Sequence, residues 1–191
     1  MKLVEIIEKF GLENPPERAT DKNSTHCYIE QFYEDAFSPY QDKNILLLEI
    51  GISNGASLKL WREYFQNAEM IIGIDNRPEV VHPDFRHIDG VTQYYFDAYN
   101  EGMVRTLSQY DIIIDDGCHD LPYQKKALEL YLPLLKKGGI YVVEDIHSSL
   151  FPNSQEELTA IVADNQEVTY EWIDLRSFKN RPEDNLFVVR K

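Results

Sequence analysis

The sequence predicts an α/β fold, in which one mostly parallel sheet of seven strands is covered by helices on both faces. Short apolar runs alternate with segments of helical periodicity, which is the pattern of parallel strands joined by right-handed crossovers. The first run, residues 45–51, is apolar at nearly every position, as expected for a central strand that is buried on both sides. The last two runs are separated only by a polar segment, which predicts an antiparallel hairpin at the C-terminal end.

The N-terminal part is expected to be a helical lead-in over residues 1–40 to a core over residues 41–191, the two forming one domain. Residues 1–10 have the pattern of a short amphipathic helix that ends at Gly11. A polar, proline-bearing connection follows over residues 12–25, and a second helix is predicted over residues 25–37.

The remaining elements follow from the same patterns. The predicted strands cover residues 45–51, 70–75, 94–98, 111–116, 140–146, 168–175 and 186–191. The predicted helices cover residues 57–66, 100–108, 120–136 and 154–164. Ser57 is expected to cap the first of these helices. In the third, Asp120 is the expected cap, Pro122 suits the first turn, and Gly138-Gly139 is expected to end the helix.

Composition restricts the class of partner. The net charge of −14 is spread along the chain and disfavours nucleic acid, whose phosphates require basic surfaces. No run approaches the roughly 18 apolar residues that a membrane span needs, and two glutamates interrupt the apolar start, which disfavours a signal peptide. Two cysteines make no disulfide framework, which favours the cytoplasm. We therefore expect a small-molecule partner, no nucleic acid and no membrane, and leave homo-oligomer formation open.

The loop after the first strand, Gly51-Ile-Ser-Asn-Gly55, is compatible with three kinds of site. A dinucleotide site would need Gly-x-Gly-x-x-Gly, and the third glycine is absent. The loop also spells the Gly-x-Ser-x-Gly nucleophile elbow of a hydrolase, with Ser53 as nucleophile. That fold needs an earlier strand to supply its oxyanion loop, and the sequence offers none.

The third alternative is a methyl donor. Glu49, Gly51 and Gly55 fit the Glu-x-Gly-x-x-x-Gly pattern, and here the chain resembles the class I S-adenosylmethionine methyltransferases. The resemblance implies a Rossmann-like fold and S-adenosylmethionine as cofactor. It implies that Asp75 accepts hydrogen bonds from the ribose hydroxyls, and that Asp97 lies near the adenine. Asn54 and Asp115 complete the expected cofactor-binding residues.

Two acidic pairs end neighbouring strands of the predicted sheet. Asp115 and Asp116 follow the fourth strand, and Glu144 and Asp145 follow the fifth. Parallel strands lie about 4.8 Å apart, so these carboxylates are expected to converge at the edge where open α/β sheets bind ligands. Such oxygens suit Mg²⁺ or Ca²⁺. The alternative is that the acids are solvated strand ends, and that the nearby His119 only begins a helix.

A more specific resemblance combines four segments: Thr20-Asp-Lys…His-Cys-Tyr28, Leu-Leu-Glu-Ile-Gly51, Asp-Asp-Gly-Cys-His119 and Val-Val-Glu-Asp145. Over residues 18–150 the chain resembles the metal-dependent sugar O-methyltransferases of macrolide and related antibiotic biosynthesis, of the mycinamicin and tetracenomycin rhamnosyl types.

That resemblance implies that Asp116, Glu144 and Asp145 hold Mg²⁺ and that His119 is the catalytic base. It implies methyl transfer to a hydroxyl of a sugar or glycosylated small molecule. A phenol or catechol acceptor, or a protein that binds S-adenosylmethionine without catalysis, remains an alternative. His147 is a second candidate base, and His26 is expected mainly to pack on its helix.

Overall fold

The computed structural model describes residues 1–149 and 151–191, without the side chains of residues 151 and 152. Within these residues seven strands form one sheet in the order β3-β2-β1-β4-β5-β7-β6. The strands are β1 (Leu46–Ile50), β2 (Met70–Asp75), β3 (Val91–Tyr95), β4 (Tyr110–Asp115), β5 (Leu135–Val143), β6 (Thr169–Asp174) and β7 (Asn185–Arg190). The first five are parallel, and β7 runs antiparallel to both β5 and β6. The predicted fold class is therefore confirmed.

The helices flank this sheet. They are α1 (Leu3–Phe10), α2 (Asp21–Ser24), α3 (Glu34–Phe37), α4 (Ala56–Tyr64), α5 (Glu101–Val104), α6 (Leu121–Tyr131), α7 (Phe151–Val162) and α8 (Arg176–Lys179). A wider helical turn, Ile29–Tyr33, leads directly into α3. The helix predicted over residues 25–37 is thus present from Ile29 to Phe37, and the separate short helix α2 precedes it.

Both faces of the sheet are covered. On one face, buried residues of the N-terminal helices and of α4, including Leu3, Tyr33 and Trp61, pack against β1. On the other face, Leu128 and Leu158 of α6 and α7 belong to a second buried cluster. The lead-in therefore packs on the same core as the strands, while the division into a lead-in and a core stays a prediction. None of the helices in the described ranges combines the length and hydrophobicity needed to cross a bilayer.

The third strand lies three residues earlier than predicted. Its register pairs Val91 with Ile71 and Tyr95 with Asp75, so that β3 ends level with β2. The strand lies at the edge of the sheet, and its residues are half-buried or exposed. An edge strand keeps a mixed polar and apolar composition, and this composition weakened the signal in the sequence.

Two helix boundaries were predicted from the wrong residues. Ser57 does not cap α4, because its hydroxyl donates to Glu49 Oε2 at 2.8 Å. The first backbone N–H of the helix, on Ala56, donates instead to Asn54 Oδ1 at 2.9 Å. Gly138-Gly139 does not end α6 but lies within β5, since the helix already ends at Tyr131 before a short turn that contains Pro133.

The start of α6 is closer to the prediction. Asp120 precedes the helix but its side chain makes no capping hydrogen bond. Pro122 lies in the first turn, as predicted.

Candidate functional site

The loop after β1 touches the segment after β4 at the carboxyl edge of the sheet. Gly51 has φ of +78°, and a Cβ there would lie 2.0 Å from the backbone oxygen of Asp116. The N–H of Asp116 in turn donates to the carbonyl of Ile50 at 2.9 Å. A side chain at position 51 would therefore separate two loops that both carry predicted site residues.

The carboxylate of Asp75, at the end of β2, holds the loop after β1 in place. Its Oδ2 accepts from the N–H groups of Ile52 and Ser53 at 3.2 and 3.1 Å, and its Oδ1 accepts from the N–H of Arg77 at 2.9 Å. Arg77 Nε also lies 3.5 Å from Oδ1, so a ligand hydroxyl would have to share these oxygens with the loop or displace the mostly exposed Arg77 side chain.

A cavity of about 400 Å³ opens at this edge. Gly51, Asp75 and Asp97, three of the predicted cofactor-binding residues, line it together with Asp116 and His119. A second cavity, also of about 400 Å³, lies beside the first and is lined in part by Asn54 and by residues between positions 13 and 25. The two cavities share Asp21, Ser53 and Asp116 in their linings, so they are adjacent.

Three predicted cofactor-binding residues line neither cavity. Glu49 is fully buried, and its Oε2 accepts from Ser57 Oγ and from Trp61 Nε1 at 2.8 and 3.2 Å. Asp115 is buried below the loop, with Oδ1 accepting from the N–H of Gly117 at 3.3 Å. Gly55 has φ of +89° and precedes α4. Burial raises the pKa of both acids to about 7. Direct cofactor contact by these residues stays a prediction, and the structure gives each a role in shaping the loop.

Asp116, His119 and Asp145 form a compact group in which one ligand atom from each lies within 4.8 Å of the others. His119 Nε2 is 3.3 Å from Asp116 Oδ1, and His119 Nδ1 is 3.6 Å from Asp145 Oδ2. The two carboxylate oxygens of this group are ligands of the kind that a divalent cation such as Mg²⁺ prefers. His119 lies at the rim, with 45% of its side chain exposed.

The pKa values of His119 and Asp116 are shifted by their charged neighbours. Burial acts to lower the pKa of His119, but the hydrogen bond and charge of Asp116 outweigh burial and raise it to about 9. Burial acts to raise the pKa of Asp116, but Lys22 and His119 hold it below the ordinary value. The metal-free group therefore combines an ionised Asp116 with an imidazolium at neutral pH.

Asp145 has a strained backbone, with φ of +55° at a residue that is not glycine. This left-handed conformation costs on the order of 1–3 kcal/mol and persists only where neighbours fix it. Tyr28 supplies such a contact, because its hydroxyl donates to Asp145 Oδ1 at 2.5 Å. The side chain is thereby directed with Oδ2 toward His119.

Glu144, the remaining predicted metal ligand, points away from this group. Its Oε2 accepts from Lys22 Nζ at 2.8 Å, and its Oε1 accepts from the hydroxyl of Tyr33. Burial raises its pKa above the ordinary value, with the charge of Lys22 opposing the shift. The structure brings together two of the three predicted ligands, Asp116 and Asp145, and the role of Glu144 as a ligand stays a prediction.

Sequence reasoning missed the roles of Lys22, Tyr28 and Tyr33, which contact the acids from the N-terminal segment. It also underestimated His26, whose Nδ1 lies 2.6 Å from Asp184 Oδ1 and 3.7 Å from Asp145 Oδ1. Three of these four residues lie in the segment over residues 20–28 that carried the resemblance, and that spacing was the available signal. His147 is exposed and pairs with Ser149 Oγ at 2.8 Å, outside the group formed by Asp116, His119 and Asp145.

The chain is similar in sequence to known methyltransferases. Residues 48–146 match a family model described as "Methyltransferase domain". The 8-demethyl-8-alpha-L-rhamnosyl tetracenomycin-C 2'-O-methyltransferase of Streptomyces olivaceus is 31% identical over 143 residues, which are 71% of this chain and 37% of that protein. The mycinamicin VI 2''-O-methyltransferase of Micromonospora griseorubida is 28% identical over 128 residues, which are 63% of this chain and 32% of that protein. The matched part thus spans less than half the length of either relative.

Among solved structures, a methyltransferase from the mycinamycin biosynthetic pathway, in complex with Mg, SAH and mycinamycin VI, superposes with a TM-score of 0.72 and 19% identity. The match covers 100% of this chain and 54% of that protein. At this identity the likeness supports a shared fold.

Proposed function

Because this chain belongs to the methyltransferase-domain family, we propose that it is an S-adenosylmethionine-dependent O-methyltransferase assisted by Mg²⁺. The proposed acceptor is a hydroxyl of a sugar or glycosylated small molecule, because the name of the Streptomyces olivaceus relative specifies a rhamnosyl substrate. One observation carries the proposal: Asp116 and His119 line the same cavity as Gly51, Asp75 and Asp97. A methyl donor and a divalent ion can therefore lie side by side.

The cofactor is assigned by the chemistry of the lining. Asp75 and Asp97 offer carboxylate oxygens to hydroxyl and amino donors, which suits the nucleoside end of S-adenosylmethionine. The second cavity, which shares Ser53 and Asp116 with the first, would take the amino acid end. In this arrangement the sulfonium would lie between the two ends, near Asp116.

The metal is assigned by the donor set. Asp116 and Asp145 would hold Mg²⁺ through the oxygens that face His119, and Glu144 stays a predicted third ligand. When bound, the ion orients an acceptor hydroxyl and makes it more acidic. Mg²⁺ is preferred to Ca²⁺ because a solved relative of the same fold holds Mg.

His119 is the proposed catalytic base. Its exposed position at the rim lets an acceptor hydroxyl approach the ring, and the unprotonated ring nitrogen can take the proton once the imidazole is neutral. Asp145, held by Tyr28, orients the ring through Nδ1, which leaves Nε2 as the atom nearest Asp116.

The alternatives fit less well. Among the described residues Ser53 makes no hydrogen bond to a histidine, so the hydrolase interpretation lacks its base. Binding without catalysis leaves the group of Asp116, His119 and Asp145 without a use. A phenol or catechol acceptor would use the same residues, and only an assay separates it from a sugar. A cytoplasmic location and the absence of nucleic-acid and membrane partners stay predictions. Both cysteines are free in the structure, as the prediction of no disulfide framework requires.

The test is release of S-adenosylhomocysteine from S-adenosylmethionine in the presence of Mg²⁺ and either rhamnosides, other neutral glycosides or catechol. We expect release with a glycoside, and loss of release in EDTA. Release with catechol alone would contradict the sugar acceptor and favour a phenol. Full activity in EDTA would contradict the proposed role of the metal. Binding of S-adenosylmethionine with no release for any acceptor would favour the non-catalytic alternative.

A further inference from the structure

Lys22 lies inside the protein at the meeting point of three strand ends. It belongs to α2, and its side chain is 0% exposed. Its Nζ lies 2.7 Å from Asp116 Oδ2, 2.8 Å from Glu144 Oε2 and 3.4 Å from Glu49 Oε1. These acids lie at the ends of β4, β5 and β1, which are neighbours in the sheet. Within residues 1–149 and 151–191, no other lysine or arginine pairs with any of the three.

Asp116 and Asp145 each have one carboxylate oxygen that is bound inside the protein and one that faces His119. In Asp116, Oδ2 accepts a hydrogen bond from Lys22 Nζ and Oδ1 faces His119. Asp145 is arranged in the same way by a different residue, with Oδ1 held by Tyr28 and Oδ2 toward His119. The outward set, Asp116 Oδ1 and Asp145 Oδ2, is the one that a metal ion can reach.

The charges explain why a lysine is needed at this point. Glu49, Asp116, Glu144 and Asp145 are four acids gathered at one edge, and like charges at this distance repel one another. Without a cation, they would separate or take up protons. Removing one partner from a buried ion pair leaves an uncompensated charge, which is strongly destabilising.

The same charge acts on a bound metal. The ammonium of Lys22 is separated from the outward oxygen of Asp116 only by the carboxyl group itself. Because Lys22 is fully buried, solvent and salt screen its field weakly. Its positive charge therefore opposes the binding of a divalent cation at the outward oxygens.

We propose that Lys22 is a fixed counter-ion of the metal site, which keeps the acids together when no metal is bound and, through its own charge, weakens divalent-ion binding. The inference rests on the proposed function, because it requires a metal at Asp116 and Asp145. A weakly held ion can enter and leave with substrate, whereas four uncompensated acids would retain it.

The experiment measures Mn²⁺ binding to the full chain by electron paramagnetic resonance, and the melting temperature of the metal-free protein by calorimetry. Lys22→Met removes the charge, and Lys22→Gln removes it while keeping an N–H donor. Lys59→Met is the matched control, because it removes the same charge from a half-buried pair with Glu63, 2.6 Å apart, that does not involve the acids of the site.

We expect both Lys22 variants to melt at a lower temperature than the wild type without metal and to bind Mn²⁺ at least tenfold more tightly. Lys59→Met should leave Mn²⁺ binding unchanged, whatever its effect on the melting temperature. A lower melting temperature with unchanged or weaker Mn²⁺ binding would reduce Lys22 to a structural residue and overturn the proposal.

If Lys22→Met is unfolded without metal, we expect millimolar Mn²⁺ to restore its folded circular dichroism spectrum, and a variant that stays unfolded at every Mn²⁺ concentration contradicts the proposal. Wild-type protein that binds no Mn²⁺ would instead contradict the metal in the proposed function.

Discussion

Tyr28 and Asp145 are joined by a hydrogen bond of 2.5 Å, although 117 positions separate them in the chain. This bond connects the N-terminal segment to the end of β5. It also fixes an aspartate whose backbone, with φ of +55°, is otherwise unfavourable. The orientation of one proposed metal ligand thus depends on a residue outside the strands.

Tyr28→Phe is expected to destabilise the protein by about 1.5–3 kcal/mol, the usual contribution of a hydrogen bond to a charged acceptor. It should also weaken Mn²⁺ binding, because Asp145 Oδ2 is no longer directed toward His119. Denaturant titration and electron paramagnetic resonance measure the two effects. Tyr64→Phe is the control, since Tyr64 is buried in α4 away from the acids. Equal effects of the two substitutions would show that the bond has no special role.

Gly51→Ala is expected to abolish binding of S-adenosylmethionine, measured by calorimetry, because its Cβ would lie 2.0 Å from the Asp116 backbone oxygen. Gly138→Ala is the matched control: Gly138 also has positive φ, +81°, but nothing lies within 4 Å of its Cβ. The control should cost only the backbone penalty of about 1–2 kcal/mol and retain cofactor binding. Normal cofactor affinity in Gly51→Ala would contradict the assignment of the cavity.

His119→Gln is expected to lower kcat by about 10²–10⁴-fold with little change in KM, since general base catalysis contributes this much. His147→Gln, which alters a histidine outside the group, should leave kcat unchanged. Unaltered turnover in His119→Gln would remove it as the base.

The same residue predicts the pH dependence. Asp116 raises the pKa of His119 to about 9, and only the neutral imidazole accepts a proton. Activity should therefore rise with pH between the ordinary pKa of about 6.5 and about 9. A metal bound to Asp116 competes with His119 for the carboxylate and lowers the pKa of His119. The rise in activity then shifts toward the ordinary pKa of about 6.5. The rise should disappear in His119→Gln, and a persistent rise would assign the base to another group.

The sequence was sufficient to predict that acids from two strands meet, because the carboxyl ends of parallel strands share one edge. It did not distinguish Glu144 from Asp145. One acid contacts Lys22 and the other lies beside His119, and the left-handed backbone of Asp145, beyond the end of β5, is not predicted by strand periodicity. Two of the three partners of Lys22, Asp116 and Glu144, lie 94 and 122 positions away, and no local pattern predicts such contacts. Edge strand β3 was misplaced for the related reason that its position is set by pairing with β2.

The central claim is that the methyl donor and the divalent ion are neighbours at this edge of the sheet, and paramagnetic relaxation tests it most directly. The measurement is the relaxation rate of the S-methyl protons of bound S-adenosylmethionine while Mn²⁺ is added, in the wild type and in Asp116→Asn. We predict strong relaxation enhancement in the wild type and its loss in Asp116→Asn, with cofactor binding retained. Mn²⁺ and S-adenosylmethionine that both bind to the wild type without enhanced relaxation of the methyl protons would contradict the account.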